Sequence, residues 1–155
     1  MPEQATALIR DYEIKVEGAK QKFIDAGIYD KKIVFLQGVE EGTPGIQGDK
    51  TRGIVYGNLG MKAPKSVEKE FLNRGNPKSE GYYSPISLEV LDEYLNETDI
   101  IAHTNFNPNL DELKNSLESV ALWKMLDIVK EDNIMYYSNN DTLMDYDYAS
   151  RMSKL

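Results

Sequence analysis

Three short apolar runs, Ile33-Val34-Phe35-Leu36, Ile100-Ile101-Ala102 and Ile134-Met135-Tyr136-Tyr137, each follow a stretch of helical periodicity. That alternation restricts the chain more than any other feature. A strand with one wet face alternates apolar and polar residues, whereas a continuous apolar run has no polar face to show and is buried on both sides. Buried strands separated by helices pair in parallel, because each helix carries the chain back to start the next strand. The reading is an α/β lobe of three layers: a mainly parallel, Rossmann-like sheet flanked by helices.

Leu8, Tyr12, Val16, Ala19 and Phe23 recur at three- and four-residue steps and predict a helix over 3–25, stopped at Gly27. A second helix is expected over about 51–58, and part of 66–72 reads as helical. Ser87 opens another helix, with Leu88, Val90, Leu91 and Leu95. Leu110, Leu113 and Leu117 mark the next, and Val120, Trp123 and Leu126 continue the pattern, with Trp123 as core. Residues 42–52, with Gly42, Pro44, Gly45 and Gly48, read as a loop, and so does most of 61–83.

With 155 residues the chain has the size of one domain. Its formal charge of -8 repels nucleic-acid phosphates, and no Lys/Arg stripe offsets it, so nucleic acid is not expected as a partner. Without cysteine there is no thiol chemistry, Cys-based zinc site or disulfide, and one histidine cannot build a two-histidine metal motif. No apolar run approaches the roughly 20 residues that cross a bilayer. No paired carboxylates or Ser-His-Asp set emerges, so the chain is not expected to be an enzyme. Met1 opens directly on a helix and Leu155 closes one barely begun, which reads as a piece of a longer protein.

Two motifs invite functional readings and fail on spacing. The glycines after the first strand run Gly42-x-x-Gly45-x-x-Gly48, and Asp49 stands where a phosphate loop ending in Lys50-Thr51 needs glycine. A flavodoxin-like nucleotide or flavin module rests on that loop alone. The acidic stretch from Asn139 to Asp147 has Tyr146 and Met152 where a calcium loop needs glycine and glutamate.

Ligand sites in open α/β sheets form outside the C-terminal ends of the strands. Here those ends lead into 38–52, 103–107 and 138–146, which should share one rim and supply Lys50, Arg52, His103, Asn105 and Tyr137. For His103 two readings stand: a ligand contact, or a histidine hydrogen-bonded locally at a strand end.

Several segments, in order, resemble the C-terminal lobe of the class III periplasmic binding proteins, of the iron-siderophore type, that serve ABC importers. The helix of residues 5–26 feeding Lys32-Ile33-Val34-Phe35-Leu36 is similar to the family's interlobe helix entering its second lobe. Gly48-Asp49-Lys50-Thr51-Arg52, followed by a helix ending in Leu59-Gly60, resembles a stretch that in siderophore binders often carries a pocket arginine. Ile86-Ser87-Leu88-Glu89-Val90-Leu91 and Leu122-Trp123-Lys124-Met125-Leu126-Asp127-Ile128-Val129-Lys130 match further segments, Ile128 standing where the family often has alanine. The resemblance implies residues 1–26 as the end of the interlobe helix and 27–155 as the C-terminal lobe, with the N-terminal lobe absent. It implies a monomeric solute-binding component taking a ferric siderophore between two lobes, with no cofactor besides that cargo and with haem or cobalamin as the alternative ligand on the same fold. It gives Arg52, helped by Lys50, a contact with an anionic ligand. It gives Glu89 a docking contact with the permease subunits. It also places the protein in the periplasm or on the outer face of the cell membrane as a lipoprotein, held through an anchor outside this chain.

Overall fold

The first apolar run becomes strand β1 (Ile33–Gly38), and all six of its residues are buried. It pairs in parallel with β4 (Ile100–Asn105), Ile33 opposite Ile100 and Gly38 opposite Asn105. Strand β4 pairs in parallel with β5 (Ile134–Tyr136), His103 opposite Tyr136. The three runs thus form the parallel part of the sheet, as their two-sided apolarity requires. This computed structural model describes residues 2–38, 43–105 and 109–137, and the side chains of residues 2, 3 and 50 lie outside that description. The calcium-like stretch after residue 138 is outside it too.

On its other edge β1 pairs antiparallel with β2 (Pro44–Ile46), which pairs antiparallel with β3 (Ser84–Pro85). The sheet is therefore mixed, in the order β3-β2-β1-β4-β5. Strand β2 corrects the expectation of a plain loop over 42–52. Its residues have weak strand propensity, and tertiary partners make it a strand. A Cβ on Gly45 would sit 2.6 Å from a ring carbon of Tyr83, so only glycine admits that ring. Pro44 lacks an N–H, but its carbonyl accepts the Ile86 amide at 2.9 Å.

Side chains alternate across the sheet and divide the core in two. Val34, Leu36 and Ile101 face a cluster built with Phe71, Leu91, Leu113, Leu117 and Trp123. These come from α3 (Lys65–Phe71), α5 (Leu88–Leu95), α6 (Leu110–Glu118) and α7 (Ala121–Met125). The short helices α4 (Pro77–Glu80) and α8 (Asp127–Lys130) complete the set, and α8 adds Ile128 to this core. Ile33, Phe35 and Ala102 face the second cluster, with Ala19 and Phe23 of α1 (Pro2–Asp25), and Val55 and Leu59.

Helix α1 ends as its sequence predicts. Gly27 takes a φ of +71°, and the Ile28 amide turns back to the Phe23 carbonyl at 3.0 Å. Its apolar stripe, however, is covered only in part. Ala19 and Phe23 are buried and Val16 half-buried, whereas Leu8 is 70% exposed. The second expected helix forms as α2 (Asp49–Gly53), running straight into a wider π-helical turn over Ile54–Asn58.

Candidate functional site

The parallel strands β1, β4 and β5 end on one edge, at Gly38, Asn105 and Tyr136. Pleating decides which side chains meet there. Gln37, Thr104 and Tyr137 share parity with Phe35, Ala102 and Met135 and so face α1 and α2. His103 and Tyr136 share parity with Ile101 and Ile134 and face the opposite core.

On the α2 side four residues form a buried polar layer. Arg52 is 1% exposed, and Gln47, Gln37 and Tyr137 are buried with it. The Arg52 guanidinium donates to Gln47 Oε1 at 2.6 Å and to the Tyr137 hydroxyl. That hydroxyl donates in turn to Gln47 Oε1 at 3.2 Å, while Gln47 Nε2 donates to Gln37 Oε1 at 2.8 Å. The rings of Phe35 and Tyr137 meet edge to face, 6.4 Å apart, and flank the guanidinium. A charge taken from water needs such partners, and hydrogen-bond acceptors and ring faces supply them here. Among the described residues Gln37 Nε2 is a buried donor without a partner.

Two of the five rim residues expected from sequence, Arg52 and Tyr137, are therefore brought together by a direct hydrogen bond. Lys50 lies in the first turn of α2, its side chain outside the described residues. Asn105 closes β4, half-buried on the His103 face, and its side chain lies beside Gly38.

His103 is fully buried, the pleat turns its ring into the core opposite the Arg52 layer, and among the described residues neither ring nitrogen has the local hydrogen bond of the second reading. Its ring stacks on Tyr136 at 6.0 Å and tilts against Trp123 at 5.6 Å. Burial pushes its pKa from 6.5 down to about 3 and raises the Tyr136 phenol to about 12, so both are neutral at ordinary pH. Glu89 is exposed in the first turn of α5, which packs against α3 and α7.

Gln37 and Gln47 were missed in the sequence. Gln37 carried a signal, as the first polar residue to follow an apolar run. Gln47 carried none, because its place depends on β2.

Neither described glycine of the loop is left open for a phosphate. Gly45 admits Tyr83, and a Cβ on Gly48 would meet the Phe71 carbonyl at 2.6 Å, so both glycines serve close packing within the lobe. Among the described residues no group of three His, Asp or Glu is placed to hold a metal ion. Within the same residues, no helix is long and apolar enough to cross a membrane.

No family model matches the chain. Over 96% of its length it is 32% identical to the iron(3+)-hydroxamate-binding protein YxeB of Bacillus subtilis (strain 168), and it covers 44% of that relative. FhuD2 from Staphylococcus aureus, solved with bound ferrioxamine B, aligns with 98% of the chain at a TM-score of 0.67 and 18% identity, over 56% of its own chain. PiaA from Streptococcus pneumoniae TIGR4, solved in complex with ferrichrome, aligns with 99% at a TM-score of 0.66 and 19% identity, over 48% of its own. The chain spans about half the length of the proteins it matches, and these are binding proteins. By sequence and by fold, the chain is similar to one lobe of the iron-siderophore type of ABC-transporter substrate-binding protein.

Proposed function

We propose that the chain is the C-terminal lobe of a solute-binding protein that captures a ferric siderophore between two lobes and delivers it to the permease of an ABC importer. The observation that carries this reading is the Arg52–Gln47–Tyr137 set at the C-terminal ends of parallel strands, where open α/β sheets bind ligands. The match to an iron(3+)-hydroxamate-binding protein supports it.

That match, with the ferrioxamine B and ferrichrome found in the structural relatives, favours a ferric hydroxamate over a strongly anionic ligand. A ferric hydroxamate presents carbonyl and N–O oxygens with little net negative charge. Its recognition calls for donors and ring faces more than for excess positive charge. In this reading Tyr137 and Gln37, both buried in this chain, form the floor beneath the cargo site. Lys50 and Asn105 complete the rim, and Arg52 backs the layer as a donor rather than as a counter-ion. His103 takes no direct part.

Residues 1–26 serve as the interlobe helix and 27–155 as the lobe. The exposure of Leu8, Ile9 and Ile14 on α1 supports this, since a second lobe would give them cover. The protein works as a monomer outside the cytoplasmic membrane, in the periplasm or lipid-anchored on the outer face, without catalysis or resident cofactor. Glu89 docks to the permease.

Calorimetric titration with ferrioxamine B and with ferrichrome tests this. The whole protein should bind one of them below micromolar, and the 155-residue chain only weakly, since a half-site encloses little of its ligand. Submicromolar binding by the chain alone would overturn the two-lobe reading. Failure of the whole protein to bind either probe, with a haem or corrin spectrum in the purified material, would transfer the fold to another cargo.

A further inference from the structure

The single histidine of the chain occupies a place with little to offer an imidazole. A neutral ring carries one N–H donor and one lone-pair acceptor, and burying either unmade is costly. Among the described residues His103 finds a partner for neither. Its surroundings are aromatic and aliphatic: Tyr136 beside it on β5, Trp123 on α7, and Leu36 opposite on β1.

Among the described residues the carboxylates of the packed elements are exposed, and Glu118 and Asp132 act by charge on the Tyr136 phenol. Asp111, Glu112, Lys114 and Glu118 of α6 are exposed, with Lys114 and Glu118 4.0 Å apart. Lys124 of α7 is exposed, and Asp127 and Lys130 of α8 pair on the surface at 2.7 Å. Strand β1 has no titratable side chain, and the phenol of Tyr136 stays neutral.

The same residue is tied to the polar layer on the other face of the sheet. The carbonyl of His103 accepts the Tyr137 amide at 3.0 Å, and the Tyr137 hydroxyl meets Arg52 and Gln47. We propose that His103 is an acid-sensitive latch on this layer. Protonation drives the ring out from between Trp123 and Tyr136, releases the Tyr137 amide, and dismantles the Arg52–Gln47–Tyr137 set. That this would free a cargo rests on the function proposed above, but the conformational step does not.

The pH window follows from burial. In the closed state the ring binds a proton only near pH 3, whereas a hydrated ring binds one near 6.5. Below pH 6.5 the open state therefore takes up protons that the closed state refuses. Opening gains about tenfold for each pH unit until the lower value is reached.

Two ligand-free measurements on the 155-residue chain test the latch, so their failure is separate from failure of the siderophore reading. One histidine gives one imidazole NMR signal, which should not titrate in the closed chain between pH 7 and 5. Over the same range, Tyr137 amide exchange, corrected for its intrinsic rate, should report opening that grows about tenfold per pH unit below about 6.5. The variant His103→Leu should abolish that dependence. If it does not fold, His103→Gln, polar but without a titrating ring, is the control. A ring that titrates near 6.5 in the folded chain, or a Tyr137 opening constant equal at pH 7 and 5, overturns the proposal on the wild-type chain alone.

Discussion

The central guanidinium carbon of Arg52 lies 4.8 Å from the centre of the Phe35 ring. Phe35 sits on the central strand two residues before Gln37, so the cation is stacked on the sheet itself and held from the side by Gln47 and Tyr137. A planar fork suits this place because its donors spread in the plane while its faces pack on rings. Replacing it with alanine removes charged hydrogen bonds, each of about 1.5–3 kcal/mol, and leaves Gln47 Oε1 short of a donor. Urea unfolding of the 155-residue chain should show Arg52→Ala less stable by on the order of 3 kcal/mol. Arg52→Lys, which keeps the charge and loses the fork, should recover only part. Equal stability of all three would mean that the guanidinium contributes nothing to the closed layer.

Two glycines outside any site make opposite predictions. A methyl group at Gly48 would collide with the Phe71 carbonyl, a backbone atom that cannot swing away. Gly48→Ala should therefore destabilise by about 1–3 kcal/mol, as overpacked positions do. Gly57 is exposed inside the π-helical turn, and a methyl group there meets nothing. Gly57→Ala should stabilise by about 0.4–1 kcal/mol, by narrowing the unfolded ensemble. Thermal melts of the two variants check both signs.

The parallel strands were legible because burial on both faces removes polar residues from β1, β4 and β5, leaving uninterrupted apolar text. Strand β2 was not, since Pro44-Gly45-Ile46 becomes a strand only when Tyr83 and Ile86 arrive from forty residues away. The stripe on α1 was read as one continuous face, and the lobe covers only its Val16–Phe23 end. Arg52 and Tyr137 were reached by the rule that strand ends carry sites. His103 was placed with them because that rule ignores the pleat. Counting parity would have separated it: Ala102 packs with Phe35, so its neighbour must face the other core.

Lys78 ties α4 to its neighbours through Glu70 of α3 and the Tyr94 hydroxyl of α5, and it lies 5.5 Å over the rings of Phe71 and Tyr94. Its hydrogen bond with Glu70 holds that carboxyl below its ordinary value and raises the Lys78 amine above its own. The contribution of Glu70 is therefore present above about pH 4.5 and lost as acid titrates it through its lower folded value. That of Lys78 is present below about pH 10.5 and lost above its raised one. The side chains are 42% and 32% exposed, so solvent screens the pair and its worth stays under about 1 kcal/mol. Glu70→Gln should be slightly less stable than wild type at pH 7, and the difference should shrink as the pH falls below about 4.5. A difference that does not shrink on acidification would assign the effect to packing.

Glu89 separates a structural role from a docking role. It is exposed in the first turn of α5, after Ser87, whose side chain makes no capping hydrogen bond. A carboxylate near a helix N-terminus contributes roughly 0.3–1 kcal/mol through the helix dipole. If that were its whole use, Glu89→Ala would shift the urea midpoint slightly and change nothing else. The docking role adds a prediction in the whole protein, because charges at an interface rim steer encounter and fix orientation more than they add affinity. There Glu89→Ala and Glu89→Arg should leave siderophore affinity unchanged while uptake by cells falls, the reversed charge falling further. A second docking contact on the other lobe would mask the loss, so the variant is also measured with the exposed carboxylates of that lobe neutralised. Normal uptake in the combined variant would leave Glu89 with the helix dipole as its only partner.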